Sequence, residues 1–168
     1  MERKSFSDMD CSVAQCLEII GEWWTMLIVR DAFLGVKRFD TFQRRLGISR
    51  NVLQQRLESL VNAGVLERAP YSEHPVRYDY TLSAKGRDLW PVLNAMRQWG
   101  DTYAAPHGAP LNLVHTDCQH QTVATLVCSH CGEALNSRNV RAVAGEGRTA
   151  SWLPARSHTL TASNERRP

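Results

Sequence analysis

The chain has 168 residues, of which 43% are apolar and 22% are charged, a balance typical of a soluble globular protein with one domain and a small appendage. No segment approaches the roughly 18 apolar residues of a membrane span, and the first residues lead into no signal-peptide core. We therefore expect a cytoplasmic protein with no membrane partner. In that compartment the five cysteines are expected to be reduced thiols or metal ligands.

The net charge of +3 is small, but the charges are unevenly distributed along the chain. Residues 1–36 carry a net charge of −3, whereas residues 37–56 carry +5. A basic run often does no more than solvate helix surfaces, so its position in the fold decides its meaning. Its six basic residues, set against Asp40 alone, are Lys37, Arg38, Arg44, Arg45, Arg50 and Arg56.

Apolar residues recur at intervals of three and four from residue 11 to residue 34 and are interrupted at Gly21, which predicts two helices. A third, short helix is predicted to follow residues 35–37 and to end at Gly47. Ser49 is suited to cap a fourth helix, which should end near Gly64. The residues that this fourth helix should bury are Leu53, Leu57, Leu60 and Val61.

After Gly64 the pattern changes to a period of two over residues 65–68 and 76–82, which predicts a hairpin with its turn at residues 72–75. Ser83 should open a further helix that Pro91 kinks or divides. Its apolar stripe is too long to be left in water and needs a partner. The stripe consists of Leu89, Leu93, Met96, Trp99 and Tyr103.

The third and fourth helices are separated only by residues 47–49, which is the short glycine-containing turn of a helix-turn-helix. In that motif the start of the second helix enters the major groove, where arginine pairs with guanine and asparagine or glutamine with adenine. The candidate base-reading residues are Ser49, Arg50, Asn51, Gln54 and Gln55. The candidate phosphate contacts are Lys37, Arg38, Arg44 and Arg45, and the hairpin, as a wing, adds Arg68, His74 and Arg77.

Several short motifs give the region a family resemblance. They are Cys11-Ser12-Val13-Ala14, Gly21-Glu22-Trp23-Trp24-Thr25, Arg38-Phe39, Ile48-Ser49-Arg50-Asn51-Val52-Leu53, Arg56-Leu57, Ala63-Gly64-Val65-Leu66-Glu67-Arg68, Tyr71-Ser72-Glu73, Tyr78-Asp79-Tyr80-Thr81-Leu82 and Gly86. Over about residues 11–104 the chain resembles HxlR-type regulators of the broader MarR-like winged-helix group. The resemblance implies a homodimer, formed by the first and last helices, on a two-fold symmetric DNA operator. Repression is the usual outcome that it implies.

A second group of residues has the spacing of a zinc site. His115 and Cys118 form one pair, and, after nine intervening residues, Cys128 and Cys131, followed by Gly132, form another. So small a segment has almost no core, so a structural zinc ion would have to supply its folding energy. The residues between the pairs, 122–127, are β-prone and are expected to form the strand that joins them. The alternative is a set of incidental thiols, and His120 or His130 could replace His115 as the fourth ligand.

Cys11 is a candidate redox sensor, because it precedes the first helix and the helix dipole favours a thiolate there. In some HxlR-type regulators a cysteine at the matching position senses oxidants or electrophiles. A buried structural cysteine is the alternative, and a small-molecule effector between the dimer helices is equally compatible. We expect no enzyme, because the chain has no phosphate-cradling loop and no nucleophile with a base.

These observations predict a mainly α fold with a small β-hairpin wing, followed by a small zinc-ribbon-like β module. The predicted boundaries are 11–104 for the winged helix-turn-helix domain, 105–111 for a linker, 112–140 for the module and 141–168 for a disordered tail. No internal repeat is evident in the sequence. The competing hypothesis for function is a protein-interaction module of the transcription apparatus, which would show no preference among DNA sequences.

Overall fold

The computed structural model describes residues 5–143 and residue 146. The predicted tail therefore lies outside the described residues, except for 141–143 and 146. In the part of the chain that the structure describes, no helix has both the length and the apolar character needed to cross a membrane.

The elements, in chain order, are α1 (Ser12–Ile20), α2 (Trp23–Phe33), α3 (Phe39–Leu46), α4 (Arg50–Asn62), β1 (Leu66–Glu73), β2 (Val76–Leu82), α5 (Ala84–Arg87), α6 (Trp90–Tyr103), β3 (Leu113–Val114) and β4 (Gln121–Thr122).

The first four helices confirm the sequence-based prediction. Gly21 ends α1 and separates it from α2. Gly47 ends α3 with a left-handed backbone, at φ +66°, which glycine adopts without steric cost. Ser49 caps α4, because its side-chain oxygen accepts a hydrogen bond from the backbone N–H of Val52 at 3.3 Å.

The wing is a two-stranded antiparallel hairpin in which Leu66 pairs with Leu82 and Glu73 pairs with Val76. β1 continues to Glu73, five residues beyond the predicted end of the strand, and the register shifts between Pro70 and Ser72. The shift accommodates one extra residue in β1, which is how a β-bulge extends a strand across an irregular position. The hairpin turn therefore consists of residues 74–75 and is shorter than the predicted turn of residues 72–75.

One core cluster holds α2, α3, α4 and the start of β1 together. Phe42 of α3 is fully buried, and it lies among three leucines from one face of α4. Burial of that many large apolar side chains is the main stabilising contribution to the domain. The buried members of the cluster are Ile28, Val29, Phe42, Ile48, Leu53, Leu57, Leu60, Val65 and Leu66.

The predicted division of the helix after Ser83 is confirmed, and it gives α5 and α6. Ser83 caps α5 by accepting a hydrogen bond from Gly86 N–H at 3.0 Å. Pro91 falls in the first turn of α6, where its missing N–H would have had no partner within the helix. Proline therefore begins the second helix and does not bend a continuous one.

The predicted strand over residues 122–127 is wrong for most of its length. β4 ends at Thr122, and Val127 forms only a single antiparallel bridge, with Ala134. β3 and β4 make one short hairpin, in which Val114 pairs with Gln121. Within 111–140 no residue is buried, so side-chain packing cannot hold an extended strand between the two cysteine-containing turns.

Candidate nucleic-acid interface

The site is built on the exposed first turns of α4. Leu53, Leu57 and Leu60 fix this helix by one face in the core. The opposite face is polar and exposed, and it starts at the capped N-terminus. A rigid helix that offers hydrogen-bonding side chains from its first turns has the geometry that reads a major groove.

All twelve residues that the sequence analysis assigned to DNA contact are exposed in the structure. They are Lys37, Arg38, Arg44, Arg45, Ser49, Arg50, Asn51, Gln54, Gln55, Arg68, His74 and Arg77. Arg56, the remaining basic residue of the run, is only partly exposed. Its guanidinium lies 3.7 Å from the carboxylate of Glu22, which ties α4 to the loop before α2.

Two of the base-reading candidates are pre-positioned by neighbours. The guanidinium of Arg50 lies 5.0 Å from the ring centre of Phe39, at the start of α3. Stacking uses the face of the guanidinium, so its N–H donors, which lie in its plane, remain available to a base edge. The amide of Gln54 donates a hydrogen bond to Glu58 at 3.1 Å, which leaves its own oxygen as an acceptor.

The wing is joined to the start of α3 by main-chain contacts. The backbone N–H of Tyr80 donates to the carbonyl of Lys37 at 2.8 Å, and Arg38 forms an antiparallel bridge with Asp79. These bonds fix the segment 37–38 as a short extra strand against β2. The cationic side chains of Lys37 and Arg38 are therefore held beside the wing and close to the N-terminus of α3.

Arg38 makes two side-chain contacts of its own. Its guanidinium lies 4.4 Å from the ring centre of Tyr71, and its Nε is 3.6 Å from Asp79 Oδ1. The Tyr71 contact was not foreseen from the sequence, because nothing local indicates that the bulge of β1 turns this ring toward α3. On the other side of the wing, Arg68 lies 5.0 Å from the ring of Tyr78. Burial raises the pKa of the neighbouring Tyr80, and the positive charge of Arg68 opposes that rise.

Arg45, which the sequence analysis assigned to a phosphate contact, has a partner within the protein. Its Nε lies 2.9 Å from Asp31 Oδ2 and its Nη2 lies 3.3 Å from Asp31 Oδ1. The hydrogen bonds that Arg45 donates to Asp31, together with the negative charge of Asp31, raise the pKa of Arg45. Asp31 is fully buried and is also bound by Arg30, at 2.9 Å. Arg45 therefore compensates a buried charge, a role that periodicity and charge counts could not reveal.

Cys11 is the N-cap residue of α1 and is half buried, with a free thiol. The segment before it is folded against α1. The side-chain amide of Gln15 donates to the carbonyls of Phe6, Ser7 and Met9 at 2.9 to 3.2 Å. Cys16 is also half buried.

The four predicted zinc ligands fall into two local pairs. His115 Nδ1 lies 3.3 Å from Cys118 Sγ, and the Cys131 thiol is hydrogen-bonded to Cys128. The pKa of Cys128 is lowered by the backbone N–H of Cys131 and then by that of His130. Across residues 5–143 and 146 the structure has no group of three or more His, Cys, Asp or Glu side chains placed to hold a metal ion. Each pair is thus formed, but the two pairs are not brought together.

The other two histidines are placed differently. His120 Nδ1 lies 2.6 Å from the carbonyl oxygen of Cys118, so it donates to the backbone of its own turn. His130 contributes its backbone N–H to Cys128. Of the three histidines, His115 is the one whose ring nitrogen lies beside a cysteine sulfur in the described structure.

A winged helix with a capped, polar and exposed fourth helix and a cationic flank has the architecture of a helix-turn-helix transcriptional regulator. The comparison with known families agrees. The chain belongs to the HxlR-like helix-turn-helix family, whose model matches residues 19–108. Members of the family are transcriptional regulators, which agrees with the expectation that the protein is not an enzyme.

Individual relatives extend the match beyond that domain. The HTH-type transcriptional regulator Rv3095 of Mycobacterium tuberculosis is 45% identical over 137 residues, which cover 81% of this chain and 87% of the relative. PA1607, a protein proposed to be a transcription factor, has a crystal structure with 39% identity and a TM-score of 0.73 that covers 83% of this chain and 99% of its own. The redox regulator HypR in its reduced form is 30% identical, with a TM-score of 0.52, over 55% of this chain and 92% of its own.

Proposed function

We propose that the protein is a homodimeric regulator that recognises a two-fold symmetric DNA operator through the first turns of α4. The observation that carries the proposal is the pairing of a rigid helix with an exposed polar edge. Three leucines bury one face of α4, whereas Arg50 and Asn51 stand exposed beside the Ser49 cap. Lys37, Arg38 and Arg44 supply phosphate contacts around this edge, and the wing supplies Arg68, His74 and Arg77.

The proposal for a dimer rests on the two terminal helices of the domain. Among the described residues, no side chain of α1 or α6 belongs to the core cluster. Both helices nevertheless expose large apolar residues, including Val13 at 67%, Trp99 at 64% and Tyr103 at 73%. A second copy of the chain would remove these faces from water. In such a dimer the two copies of α4 would lie about 34 Å apart, one turn of DNA.

We further propose that binding represses transcription, because a dimer bound at an operator obstructs polymerase access to the promoter. The effector is proposed to be an oxidant or electrophile that acts at Cys11, or a small molecule bound between the dimer helices. The half-buried thiol of Cys11 at the start of α1 supports the first, since α1 is also part of the proposed dimer contact. HypR, a structural relative, is itself a redox regulator.

Selection from a pool of random duplexes, followed by sequencing, tests the assignment of α4. The wild-type protein should enrich one two-fold symmetric motif, and Arg50→Ala or Asn51→Ala should lose preference at specific base pairs, with about 1 to 3 kcal/mol of discrimination lost for each contact. Asn62→Ala is the matched control. It alters an exposed polar residue of the same helix eleven positions later, about 16 Å from the reading end.

The outcomes separate the competing functions. Unchanged motifs from both Arg50→Ala and Asn51→Ala would contradict the reading helix. A wild-type protein that binds every duplex alike would instead favour the protein-interaction module. Repeating the selection with oxidised protein, and with Cys11→Ser under the same oxidant, tests the effector. Release of DNA by the wild type and not by Cys11→Ser is the expected result.

A further inference from the structure

The segment that follows the helix-turn-helix domain contains the same small hairpin twice, thirteen residues apart. In the first copy Val114 pairs with Gln121, and the turn between them spans residues 115–120. In the second copy Val127 pairs with Ala134, and the turn spans residues 128–133. Both turns are therefore six residues long and are closed by an antiparallel pair.

The first turn is closed by two backbone hydrogen bonds. His115 N–H donates to the His120 carbonyl at 2.9 Å, and Gln119 N–H donates to the His115 carbonyl at 2.8 Å. Gln119 has a left-handed backbone, with φ +58°, and is the only residue other than glycine with positive φ in the described chain. A side chain held in this conformation indicates that the turn geometry, and not local preference, dictates it.

The second turn repeats this arrangement bond for bond. Cys128 N–H donates to the Glu133 carbonyl at 2.8 Å, and Gly132 N–H donates to the Cys128 carbonyl at 2.8 Å. Gly132 is left-handed at φ +74°, in the position that Gln119 occupies in the first turn. Both turns thus have the same backbone, although their sequences share little.

The two turns carry metal-binding residue types at the same two positions. His115 and Cys128 occupy the first position of each turn, and Cys118 and Cys131 occupy the fourth. In each turn the first and fourth side chains are in contact: His115 Nδ1 lies 3.3 Å from Cys118 Sγ, and the Cys131 thiol is hydrogen-bonded to Cys128. Backbone N–H groups of His130 and Cys131 are also hydrogen-bonded to the sulfur of Cys128, so the second turn is closed tightly around its first ligand position.

Packing gives these hairpins almost no stability. Within 111–140 no residue is buried, and Val123, Leu126 and Val127 are all more than half exposed. The connection between the hairpins is tied to the DNA-binding domain by the Gln98 amide of α6, which donates to the Ala124 carbonyl at 2.9 Å. A short polypeptide with two ordered turns and no core needs another source of folding energy, and in small domains a bound metal is a common source of it.

We propose that the two turns are the halves of one tetrahedral Zn²⁺ site whose ligands are His115, Cys118, Cys128 and Cys131. Each turn presents two ligands, and the ion draws the two turn tips together. Because no buried side chain lies between the hairpins, this approach sacrifices no packing. Three thiolates and one imidazole suit zinc, and four protein ligands close its coordination sphere, so the role is structural.

Metal analysis of the full chain, purified with reduced thiols, tests the proposal. We expect one zinc ion per chain, and on replacement with Co²⁺ an absorption spectrum with thiolate-to-metal charge-transfer bands. Cys118→Ser and Cys128→Ser should each weaken zinc binding by at least about tenfold. His115→Ala should do the same, whereas His120→Ala and His130→Ala should keep the ion. The Cys11→Ser, Cys16→Ser double variant is the matched control for loss of thiols, and it should keep full zinc.

Three results would overturn the site. The first is wild-type protein with less than about a tenth of an equivalent of zinc and no Co²⁺–thiolate bands, including the case of a Cys128–Cys131 disulfide. The second is undiminished zinc in Cys128→Ser. The third is one zinc ion for every two chains, which would place the site between copies. Because the helix-turn-helix domain has its own core, unchanged helical circular dichroism shows that this domain is folded in each variant, so that a loss of zinc is assigned to the hairpins.

Discussion

Arg45 of α3 and Asp31 of α2 form a two-point ion pair around a carboxylate that is fully buried, with Nε 2.9 Å from Oδ2 and Nη2 3.3 Å from Oδ1. Arg30 binds the same carboxylate from within α2, at 2.9 Å. The pair links α3, the first helix of the helix-turn-helix, to α2, which contributes Ile28 and Val29 to the core cluster. The basic run of residues 37–56 therefore divides into two parts, one that is proposed to face DNA and one, at Arg45, that neutralises a buried carboxylate.

Asp31→Asn should destabilise the domain by about 2 kcal/mol, below the 3 to 5 kcal/mol typical when one partner of a buried pair is removed. The loss is moderated because both arginines are about half exposed and regain water when the carboxylate is gone. Urea unfolding at fixed protein concentration measures it. Asp88→Asn, an exposed site, should change the free energy of unfolding by less than about 0.5 kcal/mol. Equal effects of the two variants would contradict the role given to Asp31.

Arg44→Met and Arg45→Met should separate the two parts of the basic run. Arg44 is exposed in the last turn of α3, so its loss should reduce the slope of log affinity against log salt by about 0.9 for each phosphate contact removed. Arg45→Met should lower the thermal midpoint and leave that slope unchanged. DNA binding titrated over a range of salt concentrations, together with thermal unfolding, measures both. A salt slope that falls in Arg45→Met and not in Arg44→Met would reverse the assignment.

The sequence predicted those features of the fold that depend on neighbouring residues. The Ser49 cap, the Gly47 helix end and the division of the last helix before Pro91 are confirmed, because each follows from backbone hydrogen bonding within a few residues. The partners of the charged side chains could not be predicted from the sequence. Asp31 and Arg45 are fourteen positions apart, and only the packing of α2 against α3 brings them together.

In the C-terminal segment, by contrast, a local feature was predicted that the structure does not contain, namely a strand over residues 122–127. Residues 122–127 have strong β propensity, yet propensity alone makes no strand where no neighbouring strand or core is available. The repeated hairpin is not evident in the sequence, because the two copies share backbone hydrogen bonds and ligand positions but few residue types. His115 matches Cys128, and Gln119 matches Gly132. Only the hydrogen bonds reveal the repeat.

Gly86→Ala should loosen the junction between the wing and α5. A methyl group at this position would fall 2.2 Å from the carbonyl oxygen of Val65, which is a backbone atom that cannot move aside cheaply. Relief of the clash must separate α5 from β1, and so must disturb the hydrogen bond of Ser83 Oγ to the Gly64 carbonyl at 2.6 Å. We expect a loss of about 2 to 3 kcal/mol in the free energy of unfolding.

The matched control for this junction is Ala84→Ser, an exposed change in the same short helix, which should alter stability by less than about 0.5 kcal/mol. Hydrogen exchange at the amides of β1 and β2 provides a second measurement. A displaced α5 should raise the exchange rates of these amides across the wing. Wild-type stability of Gly86→Ala would mean that the close approach of α5 to Val65 is not maintained in solution.

Trp99→Glu should dissociate the proposed dimer. The rings of Trp99 and Tyr103 lie 5.4 Å apart on successive turns of α6, and together they form an exposed aromatic patch. Large aromatic side chains of this kind dominate the free energy of association, and a carboxylate buried at their place would be unpaired. We expect the dissociation constant of the dimer to rise at least about 100-fold, as measured by sedimentation equilibrium. Val76→Glu, which adds the same charge to an exposed valine on the wing, should leave the dimer intact. A Trp99→Glu protein that remains as dimeric as Val76→Glu would exclude α6 from the interface.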